Sequence, residues 1–142
     1  FITMLLLKIE KNGEVTYAGQ HEDILIYRKQ TNTVERIKTS GIWIGLKKDI
    51  VEHLPNQSFT LQCGDVLFLH TDGLTESLHR SSPEDEIKPE FMYSIEQLIH
   101  ILRDLGDAPA HEITKGILKS LKNYRCNDDI TFLVIKREEI NN

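Results

Sequence analysis

Hydrophobic and polar positions divide the chain into a β-rich first half, a helical segment and a final strand. Met4, Leu5, Leu6, Leu7 and Ile9 form an apolar run that predicts a strand over 2–10 buried on both faces. Asn12 and Gly13 supply a hairpin turn into a second strand carrying Val15 and Tyr17. Further strands are expected at 24–28 and around 34–37, split by a polar turn, while Ile42, Trp43 and Ile44 lie between two glycines and match no element pattern. Phe59 and Leu61 alternate with polar residues, Gly64 and Asp65 make a turn, and 66–70 is strongly β-like, so a second hairpin is predicted there. Ser94 with Gln97 is a capping-box signature, and Ile95, Leu98, Ile99, Leu102 and Leu105 recur at helical spacing until Gly106. Asp107 and Pro109 suit the first turn of a second helix with an apolar stripe of Ile113, Ile117, Leu118 and Leu121. The apolar run 130–135 predicts a last strand in the sheet interior, and the acidic, proline-bearing stretch 79–90 reads as a mobile loop. Strands, two adjacent helices and a strand make an α+β layered domain.

Composition narrows this picture. With 142 residues and 39% hydrophobic content the chain builds a core without disulfide or metal staples. A formal net charge of −5 argues against a nucleic-acid partner, which would need a basic face. No apolar run approaches the ~18 residues of a membrane span, and no signal peptide is visible. Cys63 and Cys126 fit a reduced, cytoplasmic compartment. The chain opens at Phe1, directly inside an apolar run, which reads as a start within a larger protein.

Two carboxylate-bearing turns carry the candidate chemistry. Thr71, Asp72 and Gly73 follow the strand 66–70, with Glu76 shortly after, and Gly73 is expected to let the backbone turn beneath the carboxylate. Asp128 and Asp129 stand directly before the last strand, where adjacent like charges suggest a cation. Taken singly, each is most often a solvated turn. Jointly, antiparallel pairing of the two strands would bring both to one sheet edge, and hard oxygen donors without a Cys or His cluster suit Mg²⁺ or Mn²⁺. No P-loop, GxGxxG or GxSxG sequence is present. His21, near a strand start, reads as a surface or hydrogen-bonded residue, and Trp43 as core or rim packing. Lys115, Lys119, Lys122 and Arg125 read as a solvated basic strip, and nothing near Cys126 would activate it.

Ala18, Gly19 and His21 before a strand, then GDVLFLHTDGLTES over 64–77, two helices and DDITFLVI over 128–135 resemble, across essentially the whole chain, the bacterial SpoIIE/RsbU branch of metal-dependent PP2C-type phosphatases. The resemblance implies an α-β-β-α sandwich of antiparallel sheets flanked by helices. It also implies a dinuclear Mn²⁺ or Mg²⁺ site at one edge, where metal-activated water hydrolyses phosphoserine or phosphothreonine. Asp72 and Asp128 would be metal ligands, with Asp129 a further candidate, Gly73 serving the turn, and Glu76 and His21 supporting. Implied partners are a phosphorylated anti-anti-sigma (STAS) type protein and an upstream sensor or regulatory domain, and homodimerisation is compatible with the same reading. Three departures stand out: Gln20 is inserted before His21, Glu22 stands where a proline-containing segment is usual, and Phe91 and Met92 replace a Phe-Gly. The family's upstream Gly-Asp motif has no counterpart, since Gly64 and Asp65 match another position. The chain is therefore expected to be the C-terminal portion of such a domain, with ligands for one metal and little activity alone. A non-catalytic phosphatase-like binding module is the alternative.

Overall fold

A computed structural model describes residues 1–83 and 87–139. Two antiparallel sheets lie face to face, and a pair of helices covers the far side of one. The first sheet joins β1 (Met4–Ile9), β2 (Glu14–Gln20) and β5 (Gln57–Thr60) in the order β1-β2-β5. The second joins β3 (Ile24–Arg28), β4 (Thr33–Ile37), β6 (Val66–His70) and β9 (Phe132–Lys136) in the order β4-β3-β6-β9. A small ribbon pairs β7 (Leu78–His79) with β8 (Tyr124–Arg125).

Period-two alternation gives the central strands two different dry faces. Ile24, Ile26 and Leu67 point toward Val15, Tyr17 and Leu61 of the other sheet side. Leu25, Tyr27, Val66 and Phe68 point the opposite way, onto Leu98, Leu102, Ile113 and Ile117 of the helices. Those helices are α2 (Ile95–Leu105) and α3 (Ala110–Ser120), preceded in the chain by the single turn α1 (Asp72–Thr75). Ser94 Oγ accepts from Gln97 N at 3.3 Å as the N-cap. The Gln97 side chain does not close the capping box; it bonds the Tyr124 hydroxyl instead. Lys136 Nζ donates to the carbonyls of Gly106, Asp107 and Ala108 at 2.8–2.9 Å, so the end of α2 is tied to β9.

Four expectations change. β1 is an edge strand: Leu5 and Leu7 face the inter-sheet core, whereas Met4 and Leu6 are exposed. β9 is also an edge strand, with Leu133 54% exposed, because nothing pairs beyond it among the described residues. β5 and β6 form no hairpin; the turn between them carries the chain from one sheet to the other, β5 pairing with β2 and β6 with β3 and β9. Leu118 falls outside the buried stripe of α3, where Ile113 and Ile117 fill the interface. Within 79–90, residues 84–86 lie outside the described part, and what is described includes buried Ser82 and a 3₁₀ turn at Pro89–Phe91.

The sheet-crossing turn depends on Asp65, which is 1% exposed. Its carboxylate accepts from Arg28 Nη1 at 2.8 Å, Gln62 N at 2.9 Å and Lys29 N at 3.0 Å, so a buried charge is fully satisfied. Arg28 in turn holds Glu35 of β4 at 2.7 Å. Removing the carboxylate leaves two part-buried amides without an acceptor and takes one of its two carboxylate partners from Arg28. Asp65→Ala is expected to cost about 3 kcal/mol, read as a lower urea midpoint at unchanged slope.

Candidate active site at the sheet edge

The β6–β9 ladder runs from Val66–Lys136 to His70–Phe132. Thr71 extends it past the strand end: its amide donates to Thr131 O at 2.9 Å, and its Oγ1 accepts from Thr131 N at 3.1 Å. This clasp sets the turn bearing Asp72 directly against the turn bearing Asp128 and Asp129, as the strand-pairing argument anticipates. Gly73 shows how close they lie, since a Cβ there would stand 2.3 Å from Asp129 O. Gly73 has no left-handed φ, so it is required for space and not for the turn conformation.

Asp72, Asp128 and Asp129 are all exposed at this edge. Asp72 Oδ1 accepts from Gly73 N at 2.9 Å, and Asp128 Oδ1 from Asp129 N at 2.7 Å. These local bonds fix each carboxylate to its own turn and leave the other oxygen without a hydrogen-bond partner among the described residues. Glu76 is exposed at the end of α1, where its amide caps onto Asp72 O at 2.8 Å. His21 comes from the β2–β3 turn. Its amide donates to Thr39 Oγ1 at 3.0 Å, its carbonyl accepts from the same hydroxyl, and its Nδ1 accepts from Glu22 N at 2.7 Å. A cavity of ≈ 210 Å³ is lined by Thr3, Gln20, His21, Glu22, Trp43 and Asp72, so the first sheet's end reaches the same edge.

By donor type, these carboxylates suit a hard divalent cation. By number they do not complete one: among the described residues no three His, Cys, Asp or Glu gather to hold a metal ion. The chain presents part of a ligand set.

Sequence reasoning missed three contributors. Thr71 was read only as part of a motif, yet its hydroxyl joins the turns. Glu22 appeared only as a departure from a pattern. His70, last in β6, is 5% exposed, and its Nε2 has no hydrogen-bond partner among the described residues. Burial pushes its imidazole below the ordinary histidine range, opposed by its contact with Thr71 O at 3.2 Å and by the Glu22 charge. It lines a second cavity, of ≈ 180 Å³, between Leu5 and Leu7 of β1 and Leu133 of β9. No short-range sequence signal marks these three, because each is defined by neighbours distant in the chain.

Two antiparallel sheets in a sandwich with a helix pair packed on one of them form the α+β fold of PP2C-type phosphatase domains. The chain belongs to the Stage II sporulation protein E (SpoIIE) family, whose model matches residues 1–138. Among solved structures it is similar to the RsbU and RsbW domains of a Mycobacterium tuberculosis protein, at 21% identity and TM-score 0.74 over 96% of this chain and 36% of that one. It is similar to the SiaA PP2C domain of Pseudomonas aeruginosa, at 20% identity and TM-score 0.74 over 94% of this chain and 51% of that one. The SpoIIE phosphatase domain of Bacillus subtilis matches at 14% identity and TM-score 0.59, over 99% of this chain and 58% of that one. The chain therefore spans between about a third and three-fifths of the solved chains it matches. No curated protein matches it.

The close approach at Gly73 gives a direct test. Gly73→Ala must push the Asp129 carbonyl away, so thermal unfolding should show a loss of about 2 kcal/mol, and the Thr131 amide should exchange faster than in the parent chain.

Proposed function

We propose that the protein containing this chain is a metal-dependent serine/threonine phosphatase acting on a phosphorylated protein, and that residues 1–142 form the C-terminal portion of its catalytic domain. The observation that carries this is the Thr71–Thr131 clasp, which sets the Asp72 turn against the Asp128–Asp129 turn at one open edge. Membership of the SpoIIE family and the likeness to phosphatase domains support the same reading. Asp72 and Asp128 are the proposed ligands, with Asp129 beside them. The short local bonds to Gly73 and Asp129 amides hold the carboxylates in place before any ion arrives, which lowers the ordering cost of binding.

A divalent ion, Mn²⁺ or Mg²⁺, held in part by Asp72 and Asp128, would supply Lewis acidity to activate water and neutralise phosphoryl oxygens. The chain's own residues orient the acceptor edge. Thr71 fixes the two turns, and Gly73 permits their approach. The incomplete donor set is consistent with further ligands supplied by sequence outside these residues, and the partial coverage of the matched chains agrees with that. A STAS-type anti-anti-sigma protein is the proposed substrate, supported by the likeness to an RsbU domain, and an upstream regulatory domain is proposed with it. Among the described residues no helix is long and apolar enough to cross a membrane; a cytoplasmic location is the reading that goes with such a substrate.

Phosphate release from a phosphoserine protein tests this. The longer protein should be Mn²⁺-dependent and lose about 10³-fold in rate on Asp72→Asn or Asp128→Asn, whereas residues 1–142 alone should turn over little. Equal rates in the two forms would sink the incomplete-site reading. No metal-dependent turnover in the longer protein would favour a phosphatase-like binding module.

A further inference from the structure

The cavity beside Asp72 contains groups that hydrolysis does not use. Glu22 is one: its carboxylate makes no hydrogen bond or ion pair among the described residues. Its neighbour Asp23 has found a cation, Arg36 Nε at 2.5 Å. Glu22 has not, and no lysine or arginine lines its cavity.

Trp43 is the second group. Its indole is 43% exposed on the rim of the same cavity. It is not loose: Ile2 and Ile44 exchange backbone hydrogen bonds at 3.0 and 2.9 Å, and the Phe1 ring packs at 6.4 Å from the indole. The backbone that carries Glu22 is pinned through the His21 and Thr39 bonds of its turn. An aromatic face and an unpaired carboxylate on a pinned turn therefore share one small space, and both favour a cation: the carboxylate by charge, the indole by its ring quadrupole. An apolar occupant would desolvate the carboxylate without replacing its water, at a cost.

We propose that Glu22 and Trp43 form a subsite for a basic side chain, Arg or Lys, flanking the phosphoserine of the substrate protein. The assignment rests on the phosphatase reading of Asp72, which lines the same cavity. It names a specificity determinant: the phosphate goes to the aspartate edge and the adjacent cation to the Glu22–Trp43 corner. An acidic protein of net charge −5 gains from a cationic flank as its substrate's phosphate approaches.

Trp43 is the chain's only tryptophan, so its fluorescence reads the corner directly and without turnover. Metal-free residues 1–142 would be titrated with synthetic serine peptides flanked on both sides by arginine, leucine or glycine. The arginine peptide should bind about ten-fold more tightly than the other two at low ionic strength, and added salt should weaken it. Glu22→Gln should reduce that preference to about two-fold, and calorimetry on Trp43→Phe should retain more of it than Trp43→Ala. Equal binding of the leucine peptide, or a preference that survives Glu22→Gln, overturns the subsite. In parallel, the longer protein with Mn²⁺ is given the phosphorylated arginine and glycine peptides. A fluorescence preference without any phosphate release would overturn the phosphatase reading and leave a basic-peptide site, while release with no preference would do the reverse.

Discussion

The antiparallel pairing of β6 with β9 is the constraint from which the rest of the site follows. Neither aspartate turn has chemistry alone; each is an exposed acidic loop of an ordinary kind. The ladder brings their strand ends level, and at the next pair the Thr71 hydroxyl stands in for its carbonyl in accepting from Thr131 N. Because strand registry is set by which face is buried, Phe68 against Phe132 and Leu67 against Ile135 determine where Asp72 stands relative to Asp128. Core packing and site geometry are in this sense one specification.

The first sheet contributes from the other side. Its strand ends and the segment around Trp43 close over the same edge, so the candidate site lies where two sheets and a loop converge. Asp65 performs the complementary task at the opposite side of β6, where the chain crosses from sheet to sheet. A buried carboxylate with three donors allows that crossing to be tight. Gly19 illustrates the same economy of space in β2, where a Cβ would stand 2.1 Å from Met4 O and where a left-handed φ of 112° already excludes most residues.

Much of this was legible in the sequence. β3 and β6 fall where periodicity places them, and α2 ends at Gly106, because both signals are local and strong. What was not legible is whatever depends on neighbours. An apolar run such as 4–9 reads as doubly buried, but burial is decided by what lies beyond the strand, and β1 and β9 are both edges here. The β5–β6 hairpin failed for a related reason: Gly64 and Asp65 do make a turn, but a turn does not say which strands pair. The juxtaposition of the two aspartate turns was inferred correctly from strand direction alone. Thr71, Glu22 and His70 were not, since a hydroxyl clasp, an unpaired carboxylate and a buried imidazole become distinctive only once partners are counted.

The Lys136 ammonium bonded to three carbonyls has a mechanical consequence. It rivets the α2–α3 corner to the same strand whose opposite end begins at the Asp128–Asp129 turn. Helical layer and acidic edge are thereby joined through one rigid lever, β9. The helix pair that covers the core thus also anchors the strand that leads away from the acidic turn, and that strand is held to β6 along its whole length.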